Sequence, residues 1–286
     1  MMKKILKTIG ILILAVVLFI SGEIVGSFVT APLYYCENNA IVFGKTYLLF
    51  IGLWITFFAF CLIFKPFRKM FKRLWIKEPG NNVKTALSVG LVCGLGLNLL
   101  IAFVAMLNGD ISLSFLGFNP LMIIYFILVI TIQSGAEEIM VRWFVYQKLR
   151  EYFKDRPAVA IILNASLFAA LHLFNPGVTL LAILNIALAG LLYSLIVYYY
   201  KSFWAAVVAH ASWNFCQNIL LGLPNSGIVT EYSIFKLDVA SARDSFAYST
   251  AFGIEGTVTT CLVFALVCAL LMYLNRKKDK NVLNEL

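Results

Sequence analysis

"LMIIYFILVITIQSGAEEIMVR", residues 121–142, is the stretch that decides the fold. Its first ten residues are all apolar, and the run closes on two adjacent carboxylates, Glu137 and Glu138, with Arg142 one helical turn beyond. A helix that is apolar on every side is buried in protein or in lipid. About 20 such residues suffice to cross a bilayer. Ionised groups in that setting are costly, at roughly 2–3 kcal/mol or more each, and intramembrane carboxylates are functional candidates by default.

Working outward, the whole chain reads in the same way. Hydrophobic residues make up 62% of the 286, against about 45–50% in ordinary soluble domains. Charged residues are 13% and the mean hydropathy is +0.90. Apolar segments recur near 5–31, 41–64, 85–107, 120–147, 158–174, 178–200, 203–221 and 251–274. The expectation is an all-α, polytopic bundle of about eight transmembrane helices. It forms one transmembrane domain over 1–286, with a motif-bearing core at about 120–221. The first segment has the basic start of a signal peptide, but its apolar run is long and no A-x-A-like site follows. It reads as an uncleaved first span.

The net charge of +9 is distributed as orientation rather than as a nucleic-acid footprint. Nineteen of the 23 Lys and Arg fall at the N-terminus, at the C-terminus, or in loops on one predicted side. The other side carries only Lys236 and Arg243, while Lys45 and Arg142 lie within spans. The positive-inside rule then predicts cytoplasmic termini and an outward Cys36. The basic loops imply the lipid bilayer as a partner and no nucleic acid. The six cysteines (Cys36, Cys61, Cys93, Cys216, Cys261, Cys268) form no CxxC pair, so neither a zinc site nor a disulfide framework is indicated.

Several polar and small residues read as packing signals. Gly90 and Gly94, four apart, make a face for close helix approach, and Asn98, Asn164, Asn185 and Gln133 read as interhelical hydrogen-bonding residues. Glu23 and Glu255 lie near span ends and receive no role.

Chemistry concentrates elsewhere. The only two histidines sit in "FAALH" (168–172) and "HASWN" (210–214), each with a partner four residues away: Phe168 before His172, and Asn214 after His210. Residues i and i+4 share a helix face. At 1.5 Å per residue, Glu137, His172, His210 and Asn214 lie roughly 15, 21, 10 and 16 Å from the inner ends of their spans, so their convergence is geometrically possible. Glu138 and Arg142 stand in the favourable order for an i, i+4 ion pair. That leaves Glu137 as the carboxylate without a cation on its own face.

The ordered set E-E-x-x-x-R (137–142), F-x-x-x-H (168–172) and H-x-x-x-N (210–214), with "NASLFAALHLFNP" around the second motif, resembles the CPBP family. These are the CAAX-processing and bacteriocin-processing intramembrane proteases, also called the abortive-infection family. The resemblance implies an endopeptidase acting on a membrane-associated peptide or protein. In it, Glu137 and His172 activate a water, His210 and Asn214 stabilise the oxyanion, and Glu138, Arg142 and Phe168 support the site. One Glu and two His would also suit a three-ligand zinc site with an open position. No HExxH is present, however, and the resemblance favours a glutamate-activated water with no metal or other cofactor. A compact chain of this kind points to a bacterial plasma membrane. The other readings are a non-catalytic bacteriocin-immunity or regulatory scaffold of the same family and, more weakly, a transporter, for which no duplicated hydropathy pattern is seen.

Overall fold

The computed structural model describes residues 2–74 and 80–284; Lys77, one of the basic loop residues, lies outside them. The first half of the chain forms α1 (Met2–Thr30), α2 (Asn39–Leu48), α3 (Ile51–Ile63), α4 (Lys65–Leu74), α5 (Val83–Leu91) and α6 (Leu97–Leu107). There follow α7 (Pro120–Glu138), α8 (Tyr146–Tyr152), α9 (Pro157–Ala170), α10 (Leu180–Tyr200), α11 (Phe203–Asn214) and α12 (Val258–Asn284). Two short strands, β1 (Leu113–Phe115) and β2 (Phe235–Leu237), pair antiparallel and tie the loop after α6 to the long loop before α12. The chain is an all-α, multi-pass membrane bundle.

Starts and stops follow from local chemistry. Asn38, Asn82, Asn119, Thr179 and Ser202 each accept backbone N–H groups at a helix start. Pro120 and Pro157 open α7 and α9, where a missing N–H goes unnoticed. Lys201, left-handed at φ 53°, ends α10, and Ser202 immediately caps α11.

Among the described residues, six helical stretches are long and apolar enough to cross a membrane. The other two expected spans, the fifth and the seventh, are different. The fifth was expected over 158–174, but α9 is only 14 residues and stops at Ala170. The seventh, expected over 203–221, is not among the six; α11 and the π turn Phe215–Leu220 that fill it carry His210, Ser212, Asn214, Gln217 and Asn218 and are largely buried inside the bundle.

Among the described residues, three π-helical segments interrupt the helices: Val92–Gly96, Ile139–Val145 and Phe215–Leu220. Such turns are rare and frequently mark functional sites. The first leads from α5 into α6 and packs on α11. A Cβ at Gly94 would collide with the Ala209 carbonyl and the Ser212 hydroxyl, so the small-residue face serves a backbone-to-backbone contact. The third projects Gln217 and Asn218 against the following loop. Gln217 donates to the Pro224 carbonyl at 2.5 Å, and Asn218 donates to the Leu223 and Ile228 carbonyls at 3.2 and 3.1 Å. Residues 223–228 are thereby folded against the bundle.

Candidate active site

The carboxylates come from the end of α7, where the helix passes into its π turn. Glu138 and Arg142 are fully buried and paired, Nη1 to Oε1 at 3.0 Å. Arg142 also donates to the Gly190 carbonyl at 3.3 Å, and its guanidinium lies 4.1 Å from the Phe168 ring and 5.3 Å from that of Tyr193. The cation is thus compensated by a carboxylate, a carbonyl and two aromatic rings. This explains Phe168: one ring contacts Arg142, His172 (4.8 Å) and His210 (5.7 Å).

Glu138 has a second partner that its spacing to Arg142 does not reveal. The Nδ1 of His210 lies 3.0 Å from the same Oε1. A carboxylate accepts, so Nδ1 carries the proton and Nε2 is turned towards Glu137, whose Oε2 is 3.8 Å away. Glu138 is therefore the partner of Arg142 and the orienter of His210 together. The His210 ring also stacks on Tyr193 at 5.3 Å and 22°.

Glu137, 7% exposed, is held at one oxygen and free at the other. Gln133 Nε2 donates to Oε1 at 2.6 Å, while Oε2 makes no hydrogen bond among the described residues. Gln133 accepts in turn from Asn214 Nδ2 at 3.1 Å and from the Ser134 hydroxyl at 3.0 Å. Asn214 Nδ2 also reaches Ser134 Oγ at 3.3 Å. Both amide hydrogens of Asn214 are thus engaged on α7, and it can donate to a substrate only by releasing one of them. Of the expected oxyanion pair, His210 Nε2 is the one that is uncommitted. Two of the other polar residues expected to bridge helices do so, Asn164 donating to the Val141 carbonyl at 2.6 Å and Asn98 to Gln217 at 3.0 Å, whereas Asn185 reaches the loop before α12.

His172 lies in a turn just past α9, and its own ring helps to end that helix. Nδ1 sits 2.8 Å from the Phe168 carbonyl. That carbonyl is the one an α-helix would offer to the His172 amide, which bonds Ala169 instead at 3.0 Å. A carbonyl only accepts, so Nδ1 is the protonated nitrogen and Nε2 keeps its lone pair. The sequence signal for this early stop is Asn175-Pro176-Gly177, which cannot continue a helix.

Glu137, His172, His210 and Asn214 all line one partly enclosed cavity of ≈ 210 Å³, together with Gln133, Asn225 and Ser226. A second, smaller cavity is lined by His172, His210, Tyr193, Trp213 and Glu255. Glu255, which carried no role in the sequence, accepts from Trp213 Nε1 at 2.9 Å and from the Ser226 amide at 2.6 Å. Asn185 in α10 donates to the Glu255 and Thr257 carbonyls at 2.7 and 2.8 Å, fastening this loop to the core. Nothing in the residues around Glu255 announces this; the loop returns from more than 40 residues beyond α11. Among the described residues, no three His, Cys, Asp or Glu side chains are grouped as a metal ligand set.

Searches of curated proteins and of solved structures give no match. A family model does match, over residues 119–216, and that segment contains all seven motif residues from Glu137 to Asn214. Over that segment, which carries the candidate site, the chain is accordingly similar to the Rce1-like type II CAAX prenyl endopeptidases.

Proposed function

We propose that this membrane protein is an intramembrane endopeptidase that hydrolyses a peptide bond of a membrane-associated peptide or protein. The observation that carries the reading is the unpartnered Oε2 of Glu137, which faces His210 Nε2 in a cavity also lined by His172. Glu137 Oε2 takes a proton from water as its oxygen attacks the substrate carbonyl carbon. His172 Nε2, a lone-pair acceptor, orients that water. His210 acts after taking a second proton from solvent at Nε2: that N–H meets the developing oxyanion, while Nδ1–H stays on Glu138. When the tetrahedral intermediate collapses, the C–N bond breaks and Glu137 returns its proton to the leaving amine.

General-base transfer of this kind contributes about 10²–10⁴ in rate, and an oxyanion donor about 10²–10³. Asn214 joins as a second donor if it exchanges its bond to Ser134 for one to the substrate. The charge asymmetry supports cytoplasmic termini, which an accessible Cys36 on intact cells tests, and the compact chain supports a bacterial plasma membrane. The catalytic reading is tested on purified protein with membrane-inserting peptides as probes. Cleavage should vanish with Glu137→Gln and with His172→Ala and should survive o-phenanthroline. Activity lost to the chelator and restored by zinc contradicts a water activated by Glu137 alone.

A further inference from the structure

Glu23 is the only acidic residue of the first apolar segment, 5–31, and it lies on a span whose neighbours are almost all apolar. A carboxylate there is unfavourable unless it serves a polar cavity. The packing of α1 shows which cavity that is. Gly22 and Gly26 bring the α1 backbone onto α3: a Cβ at Gly22 would sit 2.7 Å from Leu53 Cα, and one at Gly26 would collide with the Leu49 carbonyl. This contact fixes the rotation of α1 about its axis. Phe19 and Glu23, one turn apart, then line the same ≈ 210 Å³ cavity as Glu137, His172 and His210. Phe19 is anchored edge-on to Phe50 at 5.9 Å.

The electrostatic character of this cavity is lopsided. Its charged lining consists of two carboxylates, Glu23 and Glu137, with two imidazoles, neutral amides and no Lys or Arg. Among the described residues Glu23 has no ion-pair partner. Glu137 Oε2, in a residue more than nine-tenths buried, is likewise without a hydrogen bond. Two carboxylates on one cavity, Glu137 buried within it and Glu23 exposed at its edge, are complementary to a cationic side chain, and among the described residues no Lys or Arg lines it.

We propose that Glu23 determines specificity, pairing with a Lys or Arg side chain of the substrate close to the bond addressed by Glu137. The inference rests on the proteolytic reading above. Because both carboxylates line one cavity, the basic residue sits at one fixed position near the scissile bond.

The test uses full-length protein and a library of membrane-inserting peptides in matched pairs, with Lys or norleucine at each position, cleavage sites being read by mass spectrometry. Wild type should prefer Lys at one fixed position by up to about fivefold in kcat/KM, as expected for a pair whose carboxylate, Glu23, is exposed. Glu23→Gln should bring that ratio to about 1, and Glu23→Arg should transfer the preference to Glu at the same position. A binding arm with Glu137→Gln separates the two ideas. Tighter capture of the Lys peptide by Glu137→Gln than by the Glu23→Gln/Glu137→Gln double variant, with no cleavage by wild type, sinks the protease and leaves the cation site. Cleavage without a positional preference, or a preference that survives Glu23→Gln, overturns the role of Glu23.

Discussion

α10 and α9 lie side by side and solve the same problem in opposite ways. At 21 residues, α10 is about 31 Å long, enough for a hydrocarbon core of about 30 Å, and Leu192 to Tyr199 are buried without interruption. At 14 residues, α9 is about 21 Å long and stops short. A full-length helix satisfies its own backbone and asks nothing of its surroundings. A short one leaves carbonyls at membrane depth, and these must be met by other groups. His172 meets the Phe168 carbonyl, the turn at Asn175-Pro176-Gly177 closes the end, and the loops around Ser226 and Glu255 fold in beside it. The deficit in length is what brings polar groups to the middle of the bundle. The π turns after Glu138 and after Asn214 do the same within longer helices.

If that contrast is right, substitutions in the irregular elements should be severe and those on the long, lipid-facing helices mild. The largest loss of stability is expected for Arg142→Ala. It strands the Glu138 carboxylate in a fully buried site and removes the cation between Phe168 and Tyr193, a loss of roughly 3–5 kcal/mol. Thermal melting in detergent should fall sharply, or the variant should fail to accumulate. Glu138→Gln keeps the shape but loses the charge shared by Arg142 and His210. It should be less stable than wild type and lose more activity than its folded fraction explains, because His210 is no longer oriented. Activity that tracks the folded fraction one for one would reduce Glu138 to Arg142's partner alone.

A smaller effect is expected for Gln133→Leu. The bond it removes reaches a carboxylate, and such bonds are worth about 1.5–3 kcal/mol. The loss should appear in kcat, by about tenfold or somewhat more, with KM little changed, since Gln133 holds the proposed base, Glu137, rather than the substrate. The smallest effect belongs to the lipid-facing surface. Leu270→Ala on α12, where the side chain is 53% exposed, should shift stability by no more than about 0.5 kcal/mol. A loss at Leu270 comparable with that at Gln133 would erase the distinction between the two kinds of helix.

The readable part of this molecule is the part governed by local spacing. Hydrophobic runs locate the long helices, and the i, i+4 pairs 138/142, 168/172 and 210/214 announce side chains that share a face. What escapes is non-local. The second partner of Glu138 comes from a histidine 72 positions away, and Gln133 reads as a packing residue until Asn214 is seen to donate to it. Glu255 approaches His172 through a loop whose path is set by Asn185, Trp213 and Ser226, none of them near it in sequence. The π turns leave no periodic signature, because one extra residue per turn is invisible in an already apolar run. The early end of α9 was the exception, signalled by Asn175-Pro176-Gly177 yet outweighed by the apolar residues before it.

Glu137 is proposed above as the base of a hydrolytic site. The most direct test of that role compares the membrane peptidomes of cells carrying wild type and Glu137→Gln at equal expression, with melting temperatures measured on the purified proteins. The account predicts that a set of cleaved peptides present with wild type disappears with Glu137→Gln, while the melting temperature stays the same or rises, because a buried carboxylate has been removed. Identical peptidomes from two equally folded proteins would contradict it.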